Sequence, residues 1–156
     1  MRKTLLLTAT LFAVTACQTR TVMPVVVEAP PILQVSQLDY AATEAGLREA
    51  ITSRGFKLFT VIDHGAGAET VGKDIGQNKL FIFGNPEGGT PLMETSREFG
   101  LELPLKVLLY EADDGTVYLA RRDMRDLGDD YAVTIPDKID AALTDIIEDA
   151  RGMGRP

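Results

Sequence analysis

Asp63-His64, Lys106, the Gly84 to Thr90 turn and Gly65-x-Gly67-x-x-Thr70 are the stretches of this chain whose residue types and spacing could do chemistry. His64 is the only histidine, and Asp63 precedes it. An adjacent carboxylate can orient an imidazole and raise its basicity. Neighbours at a strand end can also point to opposite faces and bond the local backbone instead. No Ser-x-x-Lys, G-x-S-x-G or second histidine accompanies the pair, and Ser36, Ser53 and Ser96 carry no local signature of a nucleophile. Lys106 lies between apolar residues and reads as an anion ligand or as a lysine whose stem covers a solvent-side face. Gly84 to Thr90 has the outline of a phosphate loop, but the essential lysine is missing and Pro91 removes an amide. A weak carboxylate or anion site at the helix start is what that stretch still permits. Gly65-x-Gly67-x-x-Thr70 is a damaged dinucleotide fingerprint, better read as a turn. Asp113, Asp114, Asp123, Asp126, Asp129 and Asp130 lack calcium-loop spacing and read as a solvated acidic surface. No catalytic set, metal set or cofactor is therefore assigned.

Cys17 has a different chemistry. Arg2 and Lys3 precede an apolar run, Leu5 to Val14, of about ten residues, half of what a membrane-spanning helix needs. Val14-Thr15-Ala16-Cys17 resembles a bacterial lipobox, in which cleavage before the cysteine is coupled to its acylation. Residues 1–16 are expected to be a lipoprotein signal peptide, 17–31 an extended tether, 32–150 a single domain and 151–156 a flexible tail. Pro24, Pro30 and Pro31 favour extension of the tether, while Val25-Val26-Val27 is apolar enough to form an edge strand. Cleavage would leave 140 residues and take the net charge from −7 to −9. That charge argues against nucleic acid as a partner and against electrostatic attachment to anionic lipid. The membrane is then a partner through acyl chains on Cys17, in the cell envelope facing the periplasm, with the outer membrane favoured by Gln18.

The elements that must position these residues follow from periodicity and punctuation. Ile32 to Ser36 reads as a strand, with Leu33 and Val35 as its apolar side. Asp39 caps a helix to about Ser53, and Gly55 stops it. Phe56 to Ile62 has apolar residues on both sides and reads as a central strand. A short helix over Ala68 to Ile75 and a strand over Leu80 to Phe83 come next. Thr90 is expected to cap a helix with Pro91 at its first position. A strand over Pro104 to Tyr110, a hairpin turn at Asp114-Gly115 and a strand over Val117 to Ala120 precede an amphipathic helix over Pro136 to Ala150. The order gives an α+β single small domain, a sheet with helices packed on one face.

The pieces Asp63-His64, Gly84-Asn85-Pro86, Gly89-Thr90-Pro91-Leu92-Met93 and Leu103-Pro104-Leu105-Lys106-Val107-Leu108, followed by Asp114-Gly115, together resemble the bacterial family called domain of unknown function 302. The resemblance covers roughly Ile32 to Asp126. It implies a β-α-β(4)-α domain related in architecture to the TATA-binding-protein fold, and no established activity. Where family members commonly carry a Tyr-Asn pair after the last strand, this chain has Ala120-Arg121-Arg122-Asp123. The matched polar positions, Asp63, His64, Asn85, Thr90 and Lys106, are expected to form any ligand site, with His64 arriving from the preceding strand. The leading functional expectation is a lipid-anchored module binding a small ligand or an envelope protein. Alternatives are a hydrolase-like enzyme using His64 and Lys106, and a structural lipoprotein that self-associates as a homodimer.

Overall fold

The computed structural model describes residues 30–154. The expected signal peptide, Cys17 and the Val25-Val27 segment lie outside the described residues.

Five strands form one antiparallel sheet in the order β1-β5-β4-β3-β2. They are β1 (Ile32–Val35), β2 (Lys57–Asp63), β3 (Asn78–Gly84), β4 (Leu105–Glu111) and β5 (Val117–Arg121). The helices are α1 (Tyr40–Ser53), α2 (His64–Glu69), α3 (Pro86–Thr95), α4 (Met124–Asp130) and α5 (Asp137–Ala150), with a 3₁₀ turn at Arg97–Leu101. The element order is thus the expected β-α-β(4)-α, with three short helices and the 3₁₀ turn inserted.

α1 begins where Asp39 accepts a hydrogen bond from the Ala42 amide at 2.8 Å. It buries Tyr40, Thr43, Leu47, Ala50 and Ile51 along one stripe. α5 buries Leu143, Ile146, Ile147 and Ala150 in the same way. The two helices touch at Gly46, where an added Cβ would stand 3.3 Å from the Ala150 backbone. Together they cover one face of the sheet. That face supplies Phe81, Phe83, Val107, Leu109 and Leu119, all fully buried. Each such side chain contributes about 1.5–3 kcal/mol of hydrophobic stabilisation. Arg121 ties β5 to α5 through a 3.2 Å ion pair with Asp140 and a hydrogen bond donated to Thr144.

Several expectations are corrected. β2 is an edge strand, not a central one. Its register slips between Leu58 and Thr60, so Leu58 and Val61 face the helices while Thr60 and Ile62 face away. The apolar side of β1 also faces away from the helices: Leu33 and Val35 are half exposed, and Gln34 bonds Glu148 of α5. The second helix starts at His64, capped by Asp63, and ends at Glu69. α3 starts at Pro86, so Asn85 is the cap and Pro91 lies inside the helix. The acidic stretch after β5 is not merely a solvated surface: Asp123 caps α4, which buries Met124 and Leu127. Arg151, placed by the sequence at the start of a tail, accepts a hydrogen bond from the Gln37 amide and donates one to the Val35 carbonyl.

Candidate functional site

Strand register locates the five polar candidates. Asp63 pairs with Lys79 at one end of β3, and Gly84, which precedes Asn85, pairs with Lys57 at the other. Five residues of extended chain separate those ends by about 17 Å. Asp63 accepts the Ala66 amide at 2.9 Å, and its second oxygen lies 3.9 Å from Lys79. It therefore builds the α2 cap and does not orient His64. The His64 side chain is exposed at the first position of α2 and forms no hydrogen bond among the described residues. Lys106 is opposite Ile82, on the face away from α1 and α5, and donates to the Glu102 carbonyl at 3.0 Å. From Asp63 it is displaced by three residues along the sheet and two strands across β2-β3-β4, about 10 Å in each direction. Because Lys106 reaches back towards Glu102, away from the Asp63 end of the sheet, it and His64 do not converge in this structure. The expected convergence of all five residues does not occur.

Two of them do meet. Asn85 and Thr90 line a cavity of about 410 Å³ at the end of the sheet where β2 begins and β3 ends. Its walls include Phe56, Phe59, Leu92, Met93 and Leu103, with Arg54 from the end of α1 and Lys138 from the start of α5. Gly84 makes room for the Phe59 ring, since a Cβ there would lie 3.2 Å from it. Gly88 and Gly89 keep α3 small where it borders the space. A Cβ on Gly89 would meet Leu103 at 3.3 Å, whereas one on Gly88 would meet nothing within 4 Å.

The polar groups at this end are mostly engaged. Asn85 Oδ1 accepts the Glu87 amide, and its carbonyl accepts those of Gly88 and Gly89. With these amides bonded and no N–H on Pro86 or Pro91, the helix start offers little to an anion. Arg54 forms a 2.5 Å ion pair with Asp149. Lys138 has no ion pair among the described residues and is the cation left to meet a ligand.

The cavity draws on α1, β2, α3, the loop before β4 and α5, and the Gly84-Asn85-Pro86, Gly89 to Met93 and Leu103-Pro104-Leu105 pieces supply much of its lining. The glycine pair inside α3 was a visible signal. Each glycine there costs about 1 kcal/mol relative to alanine, which calls for a spatial reason. Phe59 and Lys138 gave no such signal. Among the described residues, no group of three or more His, Cys, Asp or Glu side chains could hold a metal ion.

At the opposite end of the sheet, Glu44 joins α1 to β3. Burial pushes its carboxyl up, but hydrogen bonds from Lys79 and Arg48 outweigh this and hold it below the ordinary value. Tyr40 is raised well above the usual phenol range, first by burial and then by Glu44, Asp63 and Glu111.

The family model for the domain of unknown function DUF302 matches residues 32–150. The chain belongs to the DUF302 family. A solved DUF302 structure, an uncharacterised conserved protein from Bacillus stearothermophilus, superposes with a TM-score of 0.63 at 15% identity, covering 81% of this chain and 99% of that one. At that identity the likeness speaks for the DUF302 fold alone. Curated relatives match a smaller part. The fluoride-specific ion channel FluC 1 of Brucella suis biovar 1 is 45% identical over 71 residues, which is 46% of this chain and 28% of that protein. The protein of the same name from Brucella abortus biovar 1 is also 45% identical over 71 residues and is covered to 26%. The match thus spans about a quarter of these relatives. No helix among the described residues is long and apolar enough to cross a membrane.

Proposed function

We propose that this DUF302 chain is a binding module for a small, largely apolar molecule with one anionic or hydrogen-bonding end, held at the cell envelope by acyl chains on Cys17. The cavity beside α3 carries the reading. Its volume, about 410 Å³, falls in the range of small-molecule sites. Its walls are mainly aromatic and aliphatic, Glu87 is the one carboxylate among them, and Lys138 supplies a cation for the polar end.

Anilinonaphthalene sulfonate, an apolar fluorophore with one anionic group, is a suitable probe. It should bind saturably, and Lys138→Ala should weaken it several-fold. Gly88 lies one helical turn before the buried Leu92, on the same side of α3, with open space at its Cβ. Gly88→Phe should therefore fill the cavity, keep the thermal midpoint and abolish probe binding. Unchanged binding to Gly88→Phe would place the probe elsewhere and remove the basis for the reading.

The Brucella relatives favour a second reading, in which the module serves a membrane transport protein. A segment similar to this chain is there part of a longer chain named for fluoride transport. Joining two modules on one chain raises their effective concentration, and a lipid anchor does the same in two dimensions. Deleting the gene should then lower the fluoride concentration that arrests growth. The wild-type copy should restore tolerance and a Cys17→Ser copy should not. Equal tolerance in all strains would sink this reading.

A further inference from the structure

We infer that the sheet face turned away from α1 and α5 is a self-association surface, on which a second copy of this chain packs sheet against sheet. The register defines that face. Leu33 pairs with Ala120, Ala120 with Leu108, Leu108 with Leu80 and Leu80 with Ile62, giving one apolar row across all five strands. The row beside it runs from Val35 to Tyr118 and Tyr110, whose rings stack with centroids 5.2 Å apart. No described element is in a position to bury this face: Leu33 is 51% exposed, Val35 48% and Ile62 41%.

Charge selects the occupant. The chain carries 23 acidic residues and a net charge of −7, so two copies repel through most surfaces they could present. The register places no carboxylate on the open face. Its central lysine, Lys106, is bent to the Glu102 carbonyl. The middle strand of the sheet is β4, and Leu108 is the centre of the apolar row. A two-fold axis through that centre sets Leu108 of one copy against Leu108 of the other, so the surface is self-complementary as a closed dimer requires. Five strands at ~4.8 Å and a mean strand length of about 20 Å give two faces totalling about 1,000 Å² in plan. Side-chain relief raises the buried area further, into the range of specific interfaces. The product has four layers, helices outside and two sheets about 10 Å apart inside.

The test is the mass of the full chain in a non-ionic detergent, measured by light scattering with the detergent contribution subtracted. The expected mass is two chains. Leu33→Glu with Ile62→Glu puts two carboxylates on the half-exposed ends of the row. This variant should keep the far-ultraviolet circular dichroism spectrum and fall to one chain. Leu108→Asn, a milder change at the centre, should weaken the dimer at least tenfold. A single-chain mass for the wild type at its highest soluble concentration overturns the inference and leaves the face to another occupant, such as the preceding segment or a membrane protein. A dimer that persists in both variants also overturns it, because the contact must then lie elsewhere.

Discussion

Glu44 accepts a hydrogen bond from Lys79 at 2.8 Å and is paired with Arg48 one turn along α1. It therefore links the first helix to the strand that carries Phe81 and Phe83. Its folded-state pKa lies below the ordinary 4.5 because those hydrogen bonds outweigh the effect of burial. A depressed carboxylate contributes stability that is complete above the unfolded pKa and is lost as pH falls through the folded one. Glu44→Gln should therefore lower stability at neutral pH by about 1 kcal/mol or less, the scale of a partly exposed ion pair. It should also flatten the acid limb of the urea midpoint plotted against pH. An acid limb as steep as that of the wild type would assign the acid sensitivity to other carboxylates. Asp63, beside the same lysine, accepts an amide hydrogen bond at the helix start, and this explains an acid next to the only histidine without invoking catalysis.

Among the elements, α4 gives the sharpest contrast between local preference and packing. Gly128 is inside this helix, where alanine would ordinarily add about 1 kcal/mol. A Cβ there would collide with the Val133 carbonyl oxygen and press on Ile135. Gly128→Ala should accordingly destabilise, by about 1–3 kcal/mol for an overpacked site, visible as a lower thermal midpoint. A raised midpoint would mean that the loop from Ala132 to Ile135 yields easily. The elements also show where sequence reasoning reaches. Asp39 and Gly55 mark the ends of α1 through bonds made within a few residues, so both were legible. Asn85-Pro86 and Thr90-Pro91 are equally good helix starts by local chemistry. The first is the one taken, with the Asn85 side chain accepting the Glu87 amide and its carbonyl those of Gly88 and Gly89, and spacing alone does not reveal that choice. β2 reads as central because both its sides are apolar. The reason is different: one side packs on the helices and the other belongs to the open face.

Over the whole molecule, the apolar face and the cavity are separate surfaces with separate consequences, and neither could be read from a single motif. The fold class was legible because strand and helix periods alternate cleanly along the chain. The site was less so, since Phe59, Lys138 and the α3 glycines come together only through tertiary structure. One further consequence follows from the way the domain closes. β1 lies beside β5, and the Arg151 carbonyl bonds the Gln37 amide at 3.1 Å, so the first connection and the last helix are stapled together and neither end of the fold frays without releasing the other.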